Sequence, residues 1–281
     1  MLIAQISDSH MLPPGEIAYG RSDTEAALRA AVAAVNTAGA DVVIHTGDFA
    51  HHGAPEAYAL ALEVLQDLDA PLYAIPGNRD DRANMRVAFK DFDWLPEGDG
   101  PADFIHYTFD AGPIRVIACD SVIPDESNGE LCGARLTWLE AALDATADKP
   151  VIIAIHHPPF PCGLPGFGAT GLGGADVLAG ILAGRTNVLR IIAGHNHRTI
   201  TGMCGPVPAC VAPSVSYPFA FDTTAGAPLA IAYEPPGCAM HLWREDIGLL
   251  THTLPIGDFG PATPLLKDGK RLLPTSTNAR E

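Results

Sequence analysis

At 281 residues and 47% hydrophobic content, the chain has enough apolar material for one large core, or a core with a small appendage. With 33 acidic side chains against 17 basic ones the formal charge is −16, a field that repels polyanions, excludes a nucleic-acid polymer as partner, and makes entry of a small anionic substrate depend on local positive charge. The first apolar run, Leu2 to Ile6, meets polar Ser7-Asp8-Ser9-His10 too soon to be a signal or a membrane span, so a cytoplasmic protein without a membrane partner is expected, and six cysteines without a Cys-x-x-Cys pair read as reduced thiols.

Leu2 to Ile6 is predicted as a buried strand, with Asp8-Ser9-His10 hanging off its end where open α/β sheets hold ligands. Alone, Asp8 reads equally well as a turn former. Ser22-Asp23-Thr24-Glu25 fits a capping box that opens a helix to about Ala38, stopped by Gly39. Asp41 to His45 is the second strand and delivers Thr46-Gly47-Asp48. A carboxylate there can give one oxygen to each of two cations, and Gly47 lets the backbone come close. Pro55 starts a helix to about Leu68. Pro71 to Ile75 is the third strand. It leads into Pro76-Gly77-Asn78-Arg79-Asp80, which spells a turn as readily as a place where a neutral amide oxygen completes a metal shell.

Residues 104–109 and 114–119 are expected to pair as an antiparallel hairpin, and Gly133 to Thr146 to form a helix. Val151 to Ile155 is a strand ending in His156-His157-Pro158-Pro159, where the prolines forbid a helix that would swing the imidazoles away. The Gly- and Pro-rich stretch from Pro158 to Gly174 is expected to form a lid carrying Phe160, Leu164 and Phe167. Asp176 to Leu182 is a short helix. Val188 to Ala193 is a strand ending in Gly194-His195-Asn196-His197, two imidazoles one residue apart, each able to reach a different ion. Beyond it, Thr199 to Met203, Val207 to Ala212, Leu229 to Tyr233, Ala239 to Trp243 and Leu249 to Leu254 are expected as antiparallel strands completing a second sheet. The loop from Ala212 to Ala227 is expected to wall a pocket through Tyr217 and Phe219. The polar tail from Pro255 is expected to pack on a neighbouring subunit or stay mobile.

Five predicted strands thus end in oxygen or nitrogen ligand types and none in a thiolate, a mixture suited to Mn, Fe, Zn or Co in a binuclear centre rather than to Cu(I) or a structural zinc. The order Asp8-x-His10, Gly47-Asp48, Gly77-Asn78-x-Asp80, His156-His157-Pro158-Pro159, Gly194-His195-Asn196-His197 resembles the calcineurin-like metallophosphoesterases. Within that family it is similar to the bacterial glycerophosphodiesterases and the related class III cyclic nucleotide phosphodiesterases, as are Gly15-Glu16, Tyr19-Gly20 and Lys149-Pro150. The resemblance spans residues 1 to 200. It implies an α/β fold, a four-layer sandwich of two facing mixed β-sheets flanked by helices. The expected division is a catalytic domain at 1–212, with 213–281 supplying completing strands and a C-terminal cap or oligomerisation segment of a homodimer or larger assembly. The resemblance also implies two divalent or trivalent transition metal ions. Asp48 would bridge them, with Asp8, His10 and His197 around one ion and Asn78, His156 and His195 around the other. The choice of His156 over His157 rests on the resemblance.

Where the family pattern has histidine after the asparagine, this chain has Arg79. The implied role of that histidine is to bind substrate oxygen or protonate the leaving group. Arginine cannot give up a proton near neutral pH, yet its planar fork can grip phosphate; it can also simply pair with Asp80 or Asp81. Asn78 and Arg79 are therefore the expected catalytic residues, with Arg79, His157 and Tyr217 contacting substrate and His51, His52 and His157 as candidates for the missing acid. The expected reaction is hydrolysis of a small anionic phosphodiester, of glycerophosphodiester or cyclic nucleotide type, by water that the metals acidify. The alternatives are a phosphomonoesterase or phosphonate ester hydrolase on the same scaffold, and a binding scaffold without turnover.

Overall fold

The computed structural model describes residues 1–98, 104–167 and 171–272. Strands β1 (Leu2–Ile6), β2 (Val42–His45) and β3 (Leu72–Ala74) alternate with helices α1 (Thr24–Ala38) and α2 (Pro55–Leu65). A short helix α3 (Arg82–Ala88) leads to the hairpin β4 (Tyr107–Ala111) and β5 (Ile114–Ala118). Then come β6 (Gly129–Glu130), α4 (Gly133–Asp144), β7 (Val151–Ala154), β8 (Leu172–Gly173), α5 (Ala175–Leu182) and β9 (Val188–Ala193). The later strands are β10 (Ile200–Cys204), β11 (Val207–Val211), β12 (Gly237–Arg244), β13 (Gly248–Pro255) and a ribbon of β14 (Leu266–Lys267) and β15 (Lys270–Arg271).

Two mixed sheets, ordered β13-β12-β1-β2-β3 and β10-β11-β9-β7-β5-β4, are flanked by helices. In the first, β1, β2 and β3 run parallel; in the second, β5, β7 and β9 do. Side chains alternate between two faces along each strand. Val116, Ile152 and Ile192 therefore join Ile3, Ile6 and Ile44 in one core with α1 and α2, while their neighbours Ile117, Ile153 and Ile191 face a second core under α4 and α5. Strands covered on both faces read as unbroken apolar runs, which is why β7 and β9 stand out in the sequence.

Several local expectations are revised. The cap of α1 is Asp23, whose carboxylate accepts the Ala26 N–H at 2.9 Å, one residue after the Ser22 that opens the expected capping box; Gly39 ends the helix at φ +69°. Helix α2 stops at Leu65, short of Leu68. Strands β12 and β13 do not complete the second sheet with β10 and β11. They join the first, where Ala239 to Leu242 pair antiparallel with Gln5 to Leu2 and cover the edge that β1 would otherwise expose. Leu229 to Tyr233 is not a strand: Pro228, Pro235 and Pro236 bracket it, and a single bridge joins Ile231 to Phe219. Helix α3 was not expected, although Asp81 caps it by accepting the Asn84 N–H at 2.8 Å.

The expected lid falls partly outside the described residues, at 168–170, as does the tail beyond 272. Within the described part, Phe167 borders the site but Phe160 does not. Its ring packs on β10, where a Cβ at Gly202 would lie 2.7 Å from it. Among the described residues no helix is long and apolar enough to cross a membrane.

Candidate metal centre

The parallel strands deliver their C-terminal ends to one edge, and the seven residues expected as ligands meet there. Asp8 Oδ1 lies 3.5 Å from His197 Nε2 and 4.0 Å from His10 Nε2, and the two imidazole nitrogens are 2.9 Å apart. Asn78 Oδ1 lies 3.1 Å from His156 Nε2 and 2.9 Å from His195 Nδ1. Asp48 stands between these groups, with Oδ2 3.5 Å from His10 Nε2 and Oδ1 3.5 Å from His156 Nε2. One carboxylate thus faces an imidazole from each half.

The backbone is bent to achieve this. Asp8, His10, Asp48, His195 and His197 all have left-handed φ, between +46° and +73°. Such a conformation costs an L-residue roughly 1–2 kcal/mol, and it clusters where function requires it. It is held by backbone bonds between the loops after β1 and β2: Asp8 N–H to Gly47 O at 3.0 Å, His10 N–H to Asp48 O at 2.9 Å, and His51 N–H to Met11 O at 2.9 Å. The Asp8 carboxylate also accepts the His195 N–H, joining β1 to β9 across the sheets.

Burial sets the electrostatics. It pushes Asp8 well above the usual carboxylate range, with the charge of Asp48 adding to it, and raises Asp48 to about 7 against the lowering pull of the Arg79 N–H. It drives the histidines the other way, His156 to about 4 and His195 and His197 to about 3. The imidazoles are neutral, so the cluster has no internal cation to offset its carboxylates. Donation from His156 Nδ1 to Thr46 O and from His197 Nδ1 to Tyr217 O, both at 2.7 Å, turns each Nε2 lone pair inward. His195 Nε2 is buried with no hydrogen-bond partner among the described residues. Neutral nitrogen donors, crowded carboxylates and a deficit of positive charge fit a pair of metal ions.

A cleft of about 270 Å³ opens over the cluster, walled by Tyr19, Phe167, Tyr217, Phe219 and Leu229. Arg79 and Ser127 line both this cleft and a larger polar chamber of about 730 Å³ that holds His51 and His52. The guanidinium of Arg79 is exposed and among the described residues has no ion-pair partner. The carboxylates proposed for it are engaged elsewhere, Asp81 on α3 and Asp80 on four donors. Tyr217 stacks on His10 with ring centroids 5.3 Å apart. His157 departs from the expected substrate contact: it is fully buried, its Nδ1 lies 2.8 Å from Ser121 Oγ, and it lines neither cavity. His51 Nδ1 lies 3.1 Å from His10 Nδ1, behind the cluster. Ser127 carried no signal in the sequence, whereas Tyr19 stood in the Tyr19-Gly20 pair without a place in the site, and Asp80 ended Gly77-Asn78-x-Asp80 with no role beyond a pairing with Arg79.

Two mixed sheets with a buried oxygen- and nitrogen-donor cluster at their shared edge define the chain as an α/β protein with a candidate binuclear metal centre. The profile of the calcineurin-like phosphoesterase family matches residues 1–199, and the chain belongs to that family. It is 35% identical to a probable glycerophosphodiester phosphodiesterase of Arcobacter nitrofigilis, over 97% of this chain and all of that protein. It is 30% identical to a cAMP/cGMP dual specificity phosphodiesterase of Mycobacterium tuberculosis, over 80% of this chain and 70% of that one. A dimetal phosphatase from Danio rerio shares the fold, with TM-score 0.60 and 18% identity over 92% of this chain and 99% of that chain.

Proposed function

We propose that the protein is a metal-dependent phosphodiesterase acting on small phosphodiesters, of the glycerophosphodiester or cyclic nucleotide type that its relatives are named for. The observation that carries this reading is the placement of Asp48, one oxygen toward His10 and the other toward His156, with Asp8 and His197 on one side and Asn78 and His195 on the other. Those seven residues are assigned as ligands of two transition metal ions, drawn from Mn, Fe, Zn or Co. When bound, the ions supply Lewis-acid polarisation of the phosphoryl group and lower the pKa of water to near neutrality. Thr46 and Tyr217 hold the tautomers of His156 and His197, and Asn78 offers a neutral oxygen. Arg79, at the junction of cleft and chamber, grips phosphoryl oxygens and stabilises charge that develops there. Tyr217 and the rings of Phe167 and Phe219 hold one ester arm and keep water from it.

We place the catalytic unit at 1–212, with the segment 213–281 assigned to completing strands, to the cleft-lining Tyr217 and Phe219, and to the contacts of a cytoplasmic homo-oligomer. The test is a diester panel run on metal-stripped protein reloaded separately with Mn, Zn, Co and Fe. Two ions per chain and faster turnover of bis- than of mono-p-nitrophenyl phosphate are expected. Preference for the monoester favours a phosphomonoesterase, and uptake of less than one ion per chain overturns the reading.

A further inference from the structure

We infer that Asp80 is the positioning residue that fixes Asp48 relative to Asn78 and thereby sets the affinity of the centre for metal, an inference that rests on the metal-centre reading above. Its side chain is buried and accepts four hydrogen bonds. Oδ2 takes the N–H of Gly77 at 2.8 Å and of Phe49 at 3.1 Å; Oδ1 takes the O–H of Tyr58 at 2.8 Å and the N–H of Ala50 at 3.1 Å. Gly77 immediately precedes Asn78, and Phe49 immediately follows Asp48. One carboxylate therefore ties the loop after β2 to the loop after β3 at the residues flanking two ligands. The loops have little freedom to settle elsewhere, since a Cβ on Gly77 would lie 2.2 Å from Asp48 Oδ1 and 2.3 Å from Asp48 N.

All four partners donate, so both oxygens must accept. Asparagine preserves the shape but turns an NH₂ group toward two of these donors; even where one of them is the Tyr58 hydroxyl, which can rotate to accept, a buried backbone N–H is left without an acceptor. Glutamate keeps both accepting oxygens at the cost of one extra methylene. A positioning role through acceptance ranks metal affinity Asp above Glu above Asn, whereas a space-filling role puts Asn level with Asp and Glu last.

The experiment is calorimetric titration of Mn(II) into metal-stripped full-length wild type, Asp80→Asn, Asp80→Glu and Tyr58→Phe, with the thermal midpoint of each metal-free protein measured alongside. Loss of a group that orients metal ligands costs about 10–100-fold in affinity. That loss is expected for Asp80→Asn, with a smaller one for Asp80→Glu. Tyr58→Phe, which spares the three N–H bonds, should lose less than about threefold on the same scale. At saturating Mn(II) the kcat of Asp80→Asn should recover to within a few-fold of wild type. An Asn variant that binds Mn(II) as tightly as wild type, or more tightly than the Glu variant, overturns the inference. Should the Asn variant fail to fold, Asp80→Glu decides: a loss of Mn(II) affinity smaller than about tenfold at a near-native thermal midpoint supports the inference, while unchanged binding or a loss of about tenfold or more, as a space-filling role demands, overturns it. A wild type that takes up no Mn(II) overturns the metal-centre reading as well, so the two failures are distinguishable.

Discussion

Replacing Arg79 with alanine separates the electrostatic grip on substrate from the construction of the metal centre. The backbone N–H of Arg79 donates to Asp48 Oδ1 at 2.7 Å, and alanine keeps that bond. The guanidinium is exposed and Asp80 and Asp81 are engaged elsewhere, so stability should change by no more than about 0.5 kcal/mol. For a chain of this size that corresponds to a shift of about 1–2 °C in Tm. A single preorganised donor aimed at developing charge is worth about 10²–10³ in rate, or roughly 2.7–4 kcal/mol. Solvent access at this exposed position places Arg79 at the lower end. We therefore expect kcat/KM on bis-p-nitrophenyl phosphate to fall about 100-fold, mostly in kcat, because the interaction strengthens as charge builds. Arg79→Lys should recover little of this, since an ammonium is a point charge without a bidentate fork. Steady-state kinetics at saturating Mn(II), with Mn(II) affinity measured in parallel, provides the assay. A loss below about threefold would refute the clamp, and an equal loss of Mn(II) affinity would show that the side chain acts through the metal site.

Arg79→His should raise turnover of alkyl diesters more than of aryl diesters, because a titratable imidazole restores a group able to protonate a poor leaving group. Equal responses of the two classes would show that leaving-group protonation is not what arginine altered. Gly77→Ala should abolish high-affinity Mn(II) uptake and cost about 1–3 kcal/mol, since the new Cβ falls 2.2 Å from Asp48 Oδ1; wild-type uptake by a folded variant would contradict the packing. The metal-free protein should lose stability as pH falls from about 6.5 toward 4. His156, His195 and His197 have folded pKa values of about 3–4, below the ordinary 6.5, so their contribution is complete above pH 6.5 and is lost as the unfolded state gains protons. Asp48 and Asp80, raised to about 7, act in the opposite sense, losing their contribution as pH rises from about 4 to 7. Nine histidines are lowered against three raised aspartates, so the histidines dominate; a Tm of the metal-free protein that rises on acidification over this window would reverse the sign.

The parallel strands were legible because both of their faces are buried. Val151–Ala154 and Val188–Ala193 have no polar alternation to blur their ends, so the residues that follow read directly as strand-end residues. Pairing partners were not legible. β12 meets β1 across more than 230 residues, and nothing local to Ala239 or Met240 marks which sheet they complete. His157 illustrates the same limit: it is as polar as His156 and adjacent to it, and only the pleat, which alternates successive side chains, sends one ring to Asn78 and the other to Ser121. Asp80 was legible only as the end of Gly77-Asn78-x-Asp80 and as a partner for Arg79, because three of its four donors are backbone N–H groups, which leave no partner residue type in the sequence to notice.

The left-handed backbone at five of the seven assigned ligands is the least predictable feature and explains the spacing that was visible. In Asp8-x-His10 and His195-x-His197 the outer residues sit at positive φ, and glycine, the usual occupant of that conformation, is displaced by side chains needed for their donor atoms. At roughly 1–2 kcal/mol apiece the conformations would relax if the loops were free. They are not free. Met11 bridges Ala50 in parallel, extending the β1–β2 pairing beyond the ligands on both sides, and Gly194 N–H donates to His156 O at 3.0 Å, doing the same for β7 and β9. The paired loop extensions therefore carry the strain and hold these donor atoms in place. Substitutions that unpair these loop extensions should accordingly weaken metal affinity without touching a ligand.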